Sequence, residues 1–162
     1  MNLLGDQQWL IIALIFFGFL AYAALIRRKD ERYIERRFGK DRPRAMSFGV
    51  NYFGRSSEPG GPRRSSGFLV LLPDRLFYRS RLTGLELEIP GDRIAGVGHD
   101  RRHKGADLHQ SVMIIEFKNK NDEVDRAAFK VPYPPQWIRA IEATLLPGGS
   151  SRSDPAGKIH DT

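Results

Sequence analysis

The chain opens on a block in which polar residues are almost absent. From Trp9 to Ile26 it runs 18 residues without a charge (WLIIALIFFGFLAYAALI), and eleven of these are Leu, Ile or Phe. At about 1.5 Å per residue the run makes roughly 27 Å of helix, close to a hydrocarbon core of about 30 Å. Trp9 and Tyr22 lie toward its two ends, where amphipathic rings settle at the headgroup level. The pattern predicts a transmembrane helix over 9–26. A buried helix of a soluble protein would need a large surrounding core, and the remainder of the chain offers little for that. A cleaved signal peptide is the other alternative, because Ala21-Tyr22-Ala23 resembles a small-residue cleavage site. Against cleavage, no Lys or Arg precedes the run and Arg27-Arg28-Lys29 follows it at once. The positive-inside tendency then puts residues 1–8 outside as a short extracytoplasmic N-terminus and everything after Ile26 in the cytoplasm.

Residues 27–38 hold only helix-tolerant types, and Ile26, Tyr33, Ile34 and Phe38 fall on one narrow stripe, so the helix is expected to continue into the cytosol. Pairs such as Arg28 with Glu31 and Arg32 with Glu35 are spaced for weak i,i+3 contacts. Gly39, as the C′ residue, and Pro43 are expected to end it, making 27–43 a basic juxtamembrane helix and linker.

Beyond this the period drops to two. Leu85, Leu87 and Ile89 alternate with Glu86 and Glu88; Met113, Ile115 and Phe117 with Ile114, Glu116 and Lys118; Ala127, Phe129 and Val131 with Arg126, Ala128 and Lys130. Such patterns predict half-buried antiparallel strands. Residues 68–72 and 76–80 are joined by Pro73-Asp74, and 112–118 meets 123–131 across Asn119 to Asp122, so both pairs read as hairpins. Further strands near 46–53 and 93–97 bring the total to about seven. After Pro134-Pro135 the period becomes helical, with Trp137, Ile138, Ile141 and Leu145 on one face. Residues 44–146 are therefore expected to form one mainly β domain closed by a terminal helix. Residues 54–66 are loop by composition, and 147–162 read as a disordered tail.

Charge sharpens this division. The net charge is +7, and residues 27–44 carry nine basic against four acidic side chains, whereas 67–146 carry twelve against eleven. A nearly neutral body argues against a nucleic-acid-binding face. The basic arm Arg27, Arg28, Lys29, Arg32, Arg36 and Arg37 reads either as an attraction to anionic lipid or as a stop-transfer flank that only fixes topology. With no cysteine, disulfides, thiolate metal sites and cysteine nucleophiles are excluded.

Little of the remaining chemistry assembles. The stretch Gly60-Gly61-Pro62-Arg63-Arg64-Ser65-Ser66 lacks the Gly-Lys-Ser/Thr ending of a phosphate-binding P-loop. His99, His103 and His109 with Asp100 and Asp107 invite a metal reading, but Gly105 and the charge density predict a loop, and Arg101, Arg102 and Lys104 would repel a cation. That segment is expected to be an exposed, anion-attracting loop with no metal. Ser65, Ser66, Ser80 and Ser111 have no nucleophile-elbow context, so neither catalysis nor a cofactor is expected.

Residues 67–78 (GFLVLLPDRLFY), then Leu87-Glu88-Ile89-Pro90, Ile94 and Val97, then Ile115-Glu116-Phe117, Phe129 and Trp137, resemble the pleckstrin-homology-like superfamily, especially its GRAM and bacterial PH-like branches. The resemblance spans about 44–146 and rests mostly on packing positions. It implies a split barrel capped by the C-terminal helix, in a family whose members bind lipid headgroups, peptides or proteins and are rarely enzymes. Its lipid-binding members use bases flanking the first loop, which maps here onto Arg55, Arg63 and Arg64, with Arg101, Arg102 and Lys104 as a second cluster. Phe68, Leu69 and Val70 stand where that pattern places further bases in the second strand. The expected function is a membrane-anchored cytoplasmic module for a protein partner, itself membrane-bound or membrane-associated. An anionic-lipid-headgroup sensor and an accessory subunit contacting a membrane complex through its transmembrane helix are the alternatives.

Overall fold

The computed structural model describes residues 3–146, with side chains from Gln7 onward, so the expected tail at 147–162 lies outside the described residues. The chain divides between Pro43 and Arg44 into two compact units. The first is a single helix, α1 (Leu3–Phe38), of 36 residues. It runs unbroken from the apolar block into the basic arm, as the stripe of Tyr33, Ile34 and Phe38 predicts. None of its 18-residue apolar window is buried, and Trp9 is 74% and Leu14 76% exposed. The helix stop differs from expectation. The last turn tightens into a 3-10 turn over Gly39–Asp41, and the left-handed residue is Arg42 (φ 50°), not Gly39. Pro43 disfavours the right-handed helical region at Arg42, so the helical backbone ends before it.

The second unit is a seven-stranded antiparallel sheet, β1 (Ala45–Arg55), β2 (Ser65–Leu71), β3 (Arg75–Ser80), β4 (Glu86–Pro90), β5 (Ile94–His103), β6 (Ala106–Lys118) and β7 (Val124–Lys130), followed by α2 (Pro134–Leu145). The spatial order is β4-β3-β2-β1-β7-β6-β5. The first strand thus belongs to both halves of the sheet, pairing β2 through residues 45–52 and β7 through 51–55. It can do so because it is bent twice. Its register slips between Phe48 and Val50 and again between Tyr52 and Arg55, where Gly49 (φ 74°) and Gly54 (φ 90°) take the left-handed backbone that a bulge requires. The bends curl the sheet into a half-barrel whose concave face carries the core. Tyr52, Tyr78 and Phe129 stack at its centre with ring centroids 5.1 to 5.6 Å apart. The amphipathic α2 lays Trp137, Ile141 and Leu145 into the same core, and Leu145 abuts Gly91 at the β4–β5 corner, where an added Cβ would come within 3.0 Å of it.

The mainly β class, the seven strands, both hairpins and the closing helix follow the alternation read from the sequence. One segment does not. Residues 99–109, expected as a loop, are the outer part of a long β5–β6 hairpin whose turn is only Lys104-Gly105, both at positive φ (54° and 76°) as a two-residue hairpin turn demands. Two aspartates hold its irregularities. Asp100 Oδ1 accepts the N–H groups of Arg101 (2.6 Å) and Arg102 (3.0 Å), and Asp107 Oδ1 accepts that of His109 (2.7 Å), itself at φ 54°. Leu108 packs against a second buried cluster of Phe53, Val112, Ile114 and Ala128. One apolar side chain and two capping carboxylates thus order a stretch that composition alone marks as loop.

Candidate binding site

The end of β1 gathers two buried polar side chains, Asp125 and His103. Asp125, on β7, is fully buried. Its Oδ1 accepts hydrogen bonds from Ser56 Oγ (2.7 Å) and the Ser57 N–H (3.0 Å), and its Oδ2 accepts one from Ser57 Oγ (2.5 Å). Burial disfavours the ionised form, but these bonds and that from the Arg126 N–H outweigh it and hold the carboxyl below the usual range. The loop is pinned on its other side by Glu58, which accepts from Tyr52 Oη (3.2 Å) and Arg55 Nε (3.0 Å). Burial and the Glu58 charge push the Tyr52 phenol well up.

His103 reaches this place from the hairpin. Its ring is buried, and Nε2 lies 2.9 Å from the Gly54 carbonyl, which can only accept, so Nε2 carries the proton. Burial lowers its pKa, the hydrogen bond to Gly54 opposes this, and the charges of Lys104 and Arg126 lower it further. Lys104 comes with it: a Cβ built on Gly54 would stand 3.8 Å from Lys104 Nζ.

The basic residues singled out by sequence are therefore distributed rather than gathered. Arg63 lines a cleft of about 380 Å³ with Tyr52, Glu58, Thr83 and Leu85, between the first loop and the β3–β4 turn. Arg64 is exposed on that loop. Arg101 faces Asp107 at 3.9 Å, Arg102 is exposed on the hairpin, and Lys104 sits against Gly54. Along α1, Arg27 pairs with Glu31 at 2.9 Å, Arg37 donates to Tyr33 Oη at 2.6 Å and lies over the Phe38 ring at 5.5 Å, while Arg28, Lys29, Arg32 and Arg36 are exposed. Among the described residues no three His, Asp or Glu side chains are placed to hold a metal ion; the two hairpin aspartates are occupied by backbone N–H groups.

Arg55 lines a different and larger cleft, of about 730 Å³, which sequence reading did not anticipate. It opens where β4, at one edge of the sheet, leaves the β6–β7 turn across the half-barrel. Leu87, Pro90 and Phe117 give it apolar walls, and Arg93, Lys118 and Lys120 join Arg55 around it. Arg93 is held in place by donating to the Asn119 carbonyl at 2.9 Å. The one carboxylate of the lining, Glu88, is engaged by Arg75 at 3.1 Å. The signal missed was the Lys118-Asn119-Lys120-Asn121 turn, which reads from sequence only as a hairpin end.

No sequence-family profile and no curated protein matches the chain. Among solved structures it is similar to the C-terminal domain of an unknown protein from Leishmania infantum, at 16% identity and TM-score 0.49 over 72% of this chain and 97% of that one. It is also similar to a chain of the 8S snRNP assembly intermediate (8% identity, TM-score 0.50, 69% and 88%) and to the Vps36 N-terminal PH domain (16% identity, TM-score 0.44, 65% and 82%). At such identities the likeness bears on the fold alone. The strand order, the twice-bent first strand and the closing helix make a curled half-barrel consistent with a PH-like fold.

Proposed function

We propose that the chain is a single-pass membrane protein that presents its PH-like domain at the cytoplasmic face as a binding module for a protein partner. The observation that carries this is α1: an 18-residue apolar window with no buried residue, followed at once by a basic arm. Eleven Leu, Ile or Phe side chains at about 0.3–0.6 kcal/mol each favour insertion by several kcal/mol in sum. The nine basic side chains of residues 27–44 favour retention of that flank on the cytoplasmic side. A domain already tethered needs no lipid affinity for recruitment, which favours a protein as its ligand. Arg63 at the smaller cleft is what supports a lipid-headgroup reading.

The test is alkaline carbonate extraction and protease protection of the full chain, tagged at its C-terminus, in membrane vesicles. The chain should stay in the pellet at full length, with the tag digested only in inside-out vesicles. Extraction into the supernatant would refute the anchor, a protected tag would refute the orientation, and a product shortened at Ala21 to Ala23 would establish cleavage.

A further inference from the structure

The two walls of the larger cleft, about 730 Å³ in volume, differ in chemistry. On the β4 side stand Leu87 and Pro90, and the one carboxylate there, Glu88, is paired with Arg75 (3.1 Å), so this wall offers carbon and no uncompensated charge. Phe117, itself buried, continues the apolar surface across the floor. The opposite wall is cationic. Arg93 donates one N–H to the Asn119 carbonyl (2.9 Å), a neutral acceptor that leaves its charge in place. Lys118 and Lys120 are exposed and pair with no carboxylate among the described residues. Arg55, at the rim, is already matched by Glu58 (3.0 Å). Three positive charges therefore face an apolar strip, and the aliphatic stems of the long basic side chains extend that strip toward their charged ends. The volume falls in the range of about 300–1,000 Å³ that small ligands occupy, and an apolar lining with a few placed charges is the usual form of such sites.

We infer that this cleft binds the anion of a long-chain fatty acid. The hydrocarbon chain lies on Leu87, Phe117 and Pro90, and the carboxylate meets Lys118 and Lys120 beside Arg93. Carbon on one wall and cations on the other match a molecule with one tail and one head. The turn that carries the cations favours a carboxylate over a phosphate. Phosphate recognition draws on clustered backbone N–H groups and on bidentate arginine. Here the N–H groups of Asn121 and Glu123 are spent on Asn119 Oδ1 and that of Asp122 on the Asn119 carbonyl. Arg93 is tied to the same carbonyl, which leaves two flexible lysines as point charges. The ligand is a small molecule, so it adds to the protein partner proposed above, and neither depends on the other.

The experiment uses the full chain reconstituted in vesicles of phosphatidylcholine and a palmitic acid that carries a photoreactive diazirine on its chain, with the labelled peptides mapped by mass spectrometry. The methyl ester of the same probe is the neutral control, and α1 is the internal reference that acid and ester should label alike. Relative to α1, the acid should label residues 87–93 and 117–121 at least tenfold more than the ester does. Lys118→Glu with Lys120→Glu should cut that labelling at least tenfold, and Lys118→Arg with Lys120→Arg should retain it, while circular dichroism reports that the variants remain folded. No labelling of these two stretches, equal labelling by the ester, or full labelling in the charge-reversed variant would overturn the inference. Unlabelled palmitate should protect the cleft. Stronger protection by lysophosphatidate would overturn the inference in favour of a phospholipid head, and protection by an Asp-rich peptide but not by palmitate would give the cleft to a protein segment instead.

Discussion

Gly67, the third residue of β2, gives the sharpest test of the half-barrel, because the strands there leave no room for a methyl group. A Cβ at this position would lie 1.9 Å from the Arg79 carbonyl oxygen and 2.8 Å from Tyr78 Oη, both on β3. Ordinary contact begins near 3.4 Å, so Gly67→Ala must part the strands by roughly 1.5 Å, about a third of a normal strand separation. The phase of the ladder, set by the Leu72 N–H to Arg75 carbonyl and Arg81 N–H to Ser66 carbonyl bonds (both 2.9 Å), makes the displaced Arg79 carbonyl the acceptor of the Phe68 N–H. That bond and the one from Tyr78 Oη to the Ser65 carbonyl (2.8 Å) are both forfeited. At about 1 kcal/mol each, with about 1–3 kcal/mol for overpacking and an offset of roughly 0.4–1 kcal/mol from the stiffer unfolded chain, the net loss is roughly 3 kcal/mol.

Urea unfolding of the full chain in detergent measures this, read on the fluorescence of Trp137 in the core with Trp9→Phe as background. A loss of roughly 3 kcal/mol corresponds to a fall in Tm of roughly 15 °C for a domain near one hundred residues. Gly98→Ala is the internal control, since nothing lies within 4 Å of its added Cβ, and it should be neutral or stabilise by up to about 1 kcal/mol. If Gly67→Ala costs less than about 1 kcal/mol, or the two alanines cost the same, the close approach of β2 and β3 is wrong and the curvature of the first half of the sheet with it.

Asp125→Ala should destabilise the domain by about 1–3 kcal/mol, because it removes the charged acceptor of three hydrogen bonds from Ser56 and Ser57, whose exposed donors can turn to water instead. Hydrogen exchange at the Ser57 amide should then accelerate at least tenfold, and unchanged exchange would show that the carboxylate does not hold the loop. For His103, whose folded pKa is depressed, the unfolded chain binds the extra proton first. Its contribution is therefore intact above about pH 6.5 and declines as the pH falls below that value. Asp125, also depressed, adds a second decline below about pH 4. Urea midpoints measured from pH 8 to 5 should fall for the parent and flatten for His103→Gln, which can still donate to the Gly54 carbonyl; parallel curves would refute the buried neutral imidazole.

What sequence reveals here and what it conceals follow the distance over which each feature is made. The strands and both helices are legible because burial on one side writes a period into consecutive residues, as in Leu85 to Ile89 or Trp137 to Leu145. The hairpin at 99–109 writes no such period. Its order comes from Leu108 settling on Phe53 and from His103 bonding the carbonyl of Gly54, 49 positions away. Asp125 fails for the complementary reason. In the pattern of β7 a carboxylate beside Arg126 reads as solvated, and it is buried because Ser56 and Ser57 fold over it from 69 and 68 residues upstream. The larger cleft is the extreme case, since Arg55, Arg93, Lys118 and Lys120 are drawn together by a sheet order that no local window encodes. The only local trace of that order is the pair of glycines at 49 and 54, which interrupt an otherwise regular strand. Those two bends let β1 serve both halves of the sheet, leave β4 and β5 as its free edges, and open the cleft between β4 and the β6–β7 turn.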